Sequence, residues 1–493
     1  MTKTNQAASG MKFWANRTPA ERALIWFVVG YVALFFYLAK RSLDNFGRET
    51  GDVAIYTNLM WHMAQGHWFY ICPGWGESFF RYHAEFFWLF LTPFFKLFPS
   101  ASTLLFLQTL STGLAAWPVF LIARRLLANE TAAALLGAAF TLLPPIVSQN
   151  VNQIHNGPFV LVPILFTYYF FIERRFGWFM LFCLLSCLNR ENQALAVCMF
   201  GIWAIAERRN WKWAVSPVVF GIFYFWFTTR VVMLPFQGAK EWHVVGYFSY
   251  LGATPSEILH NALTKPSLII NHLLGSENIF FFVMLVQPLG WVLPFAHWSV
   301  LVGLPDGAGN LLSDNSALKV IAWHYNILTG TALFVSTLFS VKRLGGWLEK
   351  KYGSSGGPTI VIAAGLLALS IAHWFLWFQP QQFRRLPYHD TMVRALAAVP
   401  PDKSLIAPLR LQGNIAARPH YHNIGLFDVY PAGAVEFEYV LLDANERQYL
   451  PTITQEFFDK FNKDPNYHLI FAENNVFVFQ RLGGESDWKA PGI

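Results

Sequence analysis

The sequence predicts a polytopic α-helical membrane protein of about 11 spans with a small C-terminal α/β domain. Three observations predict it. Only 13% of the 493 residues are charged while 54% are hydrophobic, and soluble domains carry roughly 25% charged residues. Apolar runs of roughly 15–21 residues recur, the length a helix needs to cross about 30 Å of hydrocarbon. Charge is also unevenly spread: residues 1–379 hold 25 basic and 16 acidic side chains, whereas residues 380–493 hold 11 and 13. An ordinary cytosolic enzyme is excluded. Aromatic residues make up 17% of the chain, as expected where rings sit at bilayer interfaces.

The apolar runs place spans near 22–39, 103–122, 131–147, 158–172, 176–188, 194–206, 213–234, 279–296, 298–312, 324–341 and 359–378. Residues 1–21 are too long and polar for the start of a cleaved signal peptide, so the first run is expected to stay as a span. With that N-terminal segment inside, the cytoplasmic segments hold 15 basic and five acidic residues, which satisfies the positive-inside rule. An odd number of spans then puts the tail outside, at an inner (plasma) membrane. The net charge of +7 is accordingly a topology signal, and no nucleic-acid partner is expected.

Two outer loops interrupt the body of 22–379. Residues 40–102 include a re-entrant-looking apolar piece, Phe86 to Phe98, broken by Pro93. Residues 235–278 are mixed and amphipathic. The tail, 380–493, has strand-like runs at 404–407, 439–443, 468–471 and 476–480, with a helical run over 450–462. It is expected to be a compact extracytoplasmic α/β domain offering a surface to protein partners. Cys183, Cys187 and Cys198 lie in apolar runs and Cys72 stands apart, so neither a disulfide framework nor a zinc spacing exists.

Polar residues inside this apolar chain carry the functional signal. The segment after the first span contains Asp44, Arg48, Glu49 and Asp52, followed by a helical stretch that Gly66 ends. Asp52 opens that helix, where a carboxylate caps exposed N–H groups or serves as general base toward an acceptor hydroxyl. Arg81, Tyr82, His83 and Glu85 lie within five residues, a grouping suited to an anion, a metal or simple anchoring. His155 sits in a polar run at a helix end, and Arg190 and Glu191 sit at the turn between two short spans. Ionisable side chains there are costly and default to functional candidates, unless the two merely pair with each other. His324 and Tyr325 re-enter a span after a polar loop, as an interfacial belt or as a pocket wall near a phosphate. No Walker loop, dinucleotide fingerprint, zincin helix or hydrolase elbow occurs, so ATP-driven transport, zincin and serine-hydrolase chemistry are unsupported.

An Asp on a short helix after the first span, ending in Gln65-Gly66-His67-Trp68, resembles the membrane-embedded GT-C glycosyltransferases. In their protein mannosyltransferase and aminoarabinose-transferase branches, an Asp precedes a juxtamembrane helix that ends in a Gly-Asp-Trp-like step. Nearly the whole chain also resembles a prokaryotic family of predicted membrane proteins of unknown function. That likeness rests on Gly51 to Trp61, Tyr82-His83, Phe98 to Gln108, Asn189 to Asn192, Leu304 to Ser313, His324 to Asn326 and Val399 to Asp402. The chain departs from the wider pattern in two places. No Asp-x-Asp pair flanks Asp52, and Asn192 stands where an acid is usual, which argues against metal dependence.

The resemblance implies a GT-C-like fold and a polyprenyl-phosphate-linked sugar donor, because no nucleotide sugars are available outside the cytoplasm. Asp52 would then be the base, with Glu49 or His83 beside it. Arg48, Arg81, His155, Arg190, Glu191, His324 and Tyr325 would bind the donor phosphate or substrate, since Arg geometry suits phosphate oxygens. A divalent metal stays open as cofactor, with no ligand motif. Two rivals belong to other classes: a non-catalytic scaffold subunit of an envelope assembly, separated by tolerance of Asp52→Asn, and a transporter of lipid-linked substrates.

Overall fold

The computed structural model describes residues 16–47, 51–72, 77–152, 154–237, 243–424, 437–445 and 458–482. Among them, five helices are long and apolar enough to cross a membrane: Pro19–Asp44, Ala101–Leu127, Trp211–Gln237, His324–Tyr352 and Gly357–Leu376. Two bent pairs, Glu130–Thr141 with Pro144–Val151 and Pro266–Leu273 with Ser276–Leu289, raise the number to seven. Shorter apolar helices, Gly157–Ile172, Phe176–Cys187 and Gln193–Ala206, fill the bundle between them.

Chain chemistry explains these boundaries. Thr18 caps the first helix through a capping box with Glu21, and Pro19 occupies its first position. Asn129 caps Glu130–Thr141, and Pro144 opens the helix beyond that bend. Charges gather at one end of the bundle: Arg124 reaches Glu21 at 3.1 Å and Glu130 at 3.9 Å, and Arg125 reaches Glu173. The main core joins residues from the first helix to Leu366, including Phe140, Tyr168, Phe200, Trp203 and Phe334.

Several expected elements differ; residues 279–296, for instance, are the end of the helix Ser276–Val286 followed by the 3-10 turns Gln287–Leu289 and Leu293–Phe295. Residues 298–312 form a 3-10 turn (Trp298–Gly303) and a nine-residue helix (Leu304–Leu312), not one span. Pro305 restarts the helix there, and Asp306 bonds Thr329 through both hydroxyl and backbone N–H. Pro93 does not break its segment either; Trp88–Leu97 is helical throughout, losing the one hydrogen bond a proline cannot donate. The loop over 235–278 holds two short helices, Pro255–Thr264 and Pro266–Leu273, without a buried residue in either.

Beyond the bundle lies a five-stranded sheet. Its strands are β3 (Leu405–Pro408), β4 (Tyr421–Ile424), β5 (Tyr439–Asp443), β6 (Tyr467–Glu473) and β7 (Val476–Arg481), after a small pair β1 (Tyr70–Ile71) and β2 (Glu77–Ser78). The order is β4-β3-β5-β7-β6, with β3 parallel to β4 and β5, and β7 antiparallel to β5 and β6. Asn474 and Asn475, both at positive φ, make the tight β6–β7 turn, a position Asn tolerates well. The four expected strands are present, and β4 adds a fifth. Residues 458–463 are helical; the rest of the expected 450–462 helix lies outside the described residues.

The sheet docks on the helix Gly51–Ala64. Phe46 and Ala54 share a buried cluster with Met392, Leu405, Leu411, Ile415 and Val478. Asn58 is the polar pin: its amide donates to Ala416 O and Arg418 O at 3.0 Å each, and its oxygen accepts from Cys72 N at 2.7 Å. Gly413 lies so close to Val53 and Leu43 that a Cβ would stand 3.0–3.1 Å from them.

Candidate functional site

A helix placed this way presents one face to the bundle and one to the sheet. Asp52 lies in its first turn, and Tyr56, four residues on, shares its face. At the other end Gly66, at φ 95°, closes the helix. Gly66 N donates to Met63 O and His67 N to His62 O, the paired bonds of a Schellman motif.

Asp52, His83, His155, Arg190, Glu191, His324 and Tyr325 border one cavity of about 660 Å³. Arg81 is not among its lining residues; its guanidinium pairs instead with Glu77 at 2.6 Å. Arg48 and Glu49 lie outside the described residues. Sequence reasoning missed Tyr56, Asp306 and two residues of the tail, Gln412 and Tyr421, which all line the same cavity. The i, i+4 spacing of Asp52 and Tyr56 was a usable signal for the first. Nothing local marks Gln412, which is 2% exposed and whose Nε2 makes no hydrogen bond among the described residues.

Buried amides hold the histidines in place. Gln108 Oε1 accepts from His155 N at 2.9 Å, Gln108 Nε2 donates to Gln149 O, and Gln149 Nε2 donates to Ala322 O. That relay ties the loop before Gly157 to the loop before His324. Gly157 lets the two approach, because a side chain there would collide with Ile327. The imidazoles of His155 and His324 consequently lie face to face, with centroids 3.2 Å apart. Asp52, His155 and His324 offer ligand atoms all within 4.8 Å of one another.

On the opposite wall, Arg190 and Glu191 do more than pair with each other. His83 Nδ1 donates to Glu191 Oε1 at 3.0 Å, and Arg190 Nη2 donates to His83 Nε2 at 2.6 Å. One neutral tautomer of His83 satisfies both contacts. Burial raises the Glu191 pKa, but His83, Arg190 and the Ala84 N–H outweigh it and hold it at about 2. Arg190 Nε stands 3.6 Å from Glu191 without a hydrogen bond among the described residues.

Below the histidines lies a second carboxylate, Glu85. Burial pushes its pKa up to about 8, against the pull of Arg190 and the Trp88 indole. Trp88 Nε1 donates to Glu85 Oε2 at 2.8 Å; Tyr56 Oη lies 3.4 Å from Glu85 Oε1 and 3.3 Å from His155 Nε2. Burial, with His324 and Arg190 nearby, pushes the His155 pKa down, so that imidazole is neutral. The site thus combines a carboxylate, neutral imidazoles and a fixed cation around a space large enough for a sugar phosphate.

Comparison with known proteins agrees with this architecture. Two crystal structures of ArnT from Cupriavidus metallidurans are similar across their whole length. One, bound to undecaprenyl phosphate, shows a TM-score of 0.55 and 13% identity, covering 92% of this chain and 97% of that one. The apo form shows 0.54 and 12%, covering 94% and 98%. An oligosaccharyltransferase from Archaeoglobus fulgidus, in a complex with Zn and sulfate, is more distant, with a TM-score of 0.42, 11% identity and coverage of 92% and 73%. Among curated proteins, none matches the sequence. The bundle, the helix Gly51–Ala64 and the docked sheet therefore share the fold of ArnT. The model of a family described as predicted membrane protein (DUF2079) matches residues 43–478, and to that family of membrane proteins this chain belongs.

Proposed function

We propose that the protein is a membrane-embedded glycosyltransferase that takes a sugar from a polyprenyl-phosphate donor. One observation carries the proposal: Asp52 and the half-buried Arg190 line one cavity where the helix bundle meets the sheet, on a fold shared with ArnT, seen bound to undecaprenyl phosphate. Asp52 accepts the proton of the acceptor hydroxyl as its oxygen attacks the sugar's anomeric carbon. The anomeric carbon–oxygen bond to phosphate breaks, and polyprenyl phosphate leaves with its charge held by Arg190. Glu191 and His83 position that guanidinium. Glu85, fully buried and outside the cavity lining, is no rival base. Gln412 and Tyr421 bring the tail to the cavity wall, where an amide Nε2 without a hydrogen bond among the described residues suits a hydroxyl of donor or acceptor.

The test uses the full chain in lipid nanodiscs with a panel of polyprenyl-phosphate sugars, following release of polyprenyl phosphate. Asp52→Asn keeps size and capping ability, so its melting temperature should stay near that of the parent while transfer falls at least about a hundredfold. Full activity in a stable Asn variant would leave Asp52 as a helix cap and favour the scaffold.

A further inference from the structure

We infer that Asp52, His155 and His324 form a binding site for one divalent transition-metal ion, open toward the cavity. Two imidazoles and a carboxylate are a donor set suited to Zn²⁺, Co²⁺ or Mn²⁺ rather than to Mg²⁺ or Ca²⁺. Their ligand atoms already lie within 4.8 Å of one another. Bonds of about 2.1 Å hold tetrahedral donors about 3.4 Å apart, so side-chain rotations of about an ångström that open the His155–His324 stack close the set. Three protein ligands at a cavity wall leave a position for water or substrate, the arrangement of catalytic rather than structural sites.

A second, independent observation comes from the buried side of His155, a residue only 4% exposed. Its Nε2 faces Tyr56 Oη, while its Nδ1 makes no close hydrogen bond among the described residues, the Asn156 amide being its neighbour. An ion on Nδ1 fixes the ring proton on Nε2. That proton is donated to Tyr56 Oη, whose own proton goes to Glu85 Oε1, while Trp88 holds Glu85 Oε2; ion binding thereby calls for Glu85 as the carboxylate. A ligating histidine that donates its second N–H into such a chain gains orientation and basicity. The chain His155–Tyr56–Glu85–Trp88 has no evident task in binding a sugar, and it is what a metal-bound imidazole requires.

Charge is compatible too. Asp52 and Glu191 offset a dication beside Arg190, and all line the same cavity. If the proposed transfer reaction holds, a donor phosphate oxygen takes the open position, with Arg190 on its other side. The absence of an Asp-x-Asp pair therefore does not exclude a metal, because here the ligands come from three segments of the chain.

The experiment uses the full chain in detergent, stripped with a chelator and titrated with Co²⁺, Zn²⁺ and Mn²⁺ alone. Calorimetry gives stoichiometry, and the visible Co²⁺ spectrum reports imidazole ligation. One ion per chain is expected. Asp52→Asn and His324→Gln should each weaken binding at least about a hundredfold, and Tyr56→Phe about tenfold with an altered Co²⁺ spectrum. Asp52→Glu, which keeps the carboxylate, should bind more tightly than Asp52→Asn, and the distant, exposed His468→Gln should bind as the parent does. No stoichiometric ion, or equal binding by parent, Asp52→Asn and His324→Gln, would overturn the site. Transfer at full rate in chelator without a bound ion would overturn it and leave the proposed reaction standing. A bound ion without transfer from any donor would do the reverse.

Discussion

Glu191 lines the cavity and Glu85 is buried behind it, yet they are pushed in opposite directions. Glu191 sits well below its ordinary 4.5 because His83 and Arg190 outweigh its burial; Glu85 sits well above because burial outweighs everything else. The signs of their contributions differ accordingly. Glu191 stabilises the fold above pH about 4.5, and that contribution is lost as pH falls toward about 2. Glu85 is best accommodated protonated, so its contribution is present below about 4.5 and declines as pH rises toward about 8. In chelator-treated protein, melting scans should show stability falling between pH 5 and 8, and Glu85→Gln should flatten that slope. An unchanged slope would show that Glu85 ionises normally. Glu191→Gln leaves Arg190 short of a countercharge and should cost about 3 kcal/mol or more, read from denaturant or thermal unfolding.

Among elements, the helix Gly51–Ala64 matters most, because it carries Asp52 and Tyr56 and is gripped by the tail. The grip is polar at Asn58 and apolar at Ala54, with Val53 against Gly413. Asn58→Ala strands two carbonyls and one N–H that Asn58 now satisfies. Unpaired buried groups cost about 1–3 kcal/mol each, so a loss of about 3 kcal/mol is expected, with faster proteolysis where the tail meets this helix. A variant as stable as the parent would mean water replaces the amide. The helix and its Gly66 end were legible in the sequence, since apolar spacing and a glycine stop are local signals. The grip was not, because Asn58 meets residues more than 350 positions away.

For the whole molecule, the decisive unknown is its direction in the bilayer. The basic excess predicts that the segment holding Ser354 is cytoplasmic and the tail is outside. All four native cysteines are buried, so single cysteines at Ser9, Ser354 and Ser486 give a low background. Impermeant thiol reagents on intact cells should label the Ser486→Cys variant alone. Labelling at Ser354→Cys would reverse the orientation.

Composition alone marked a membrane protein whose C-terminal part is richer in charge, because hydrocarbon tolerates few charges and that part carries a normal share. Alternation alone located four of the five tail strands, since a strand's two faces are written two residues apart. The single residues that apolar surroundings could not explain, Asp52, His83, His155, Arg190, Glu191, His324 and Tyr325, proved to line one cavity. Burying polar groups in such a chain costs too much unless they meet one another or a ligand. Tertiary structure alone decided how they meet. It put His155 on His324, set His83 between Arg190 and Glu191, sent Arg81 to Glu77, and brought Gln412 from the tail to the cavity. Those contacts depend on how helices pack and where the sheet docks, and neither leaves a periodic mark along the chain.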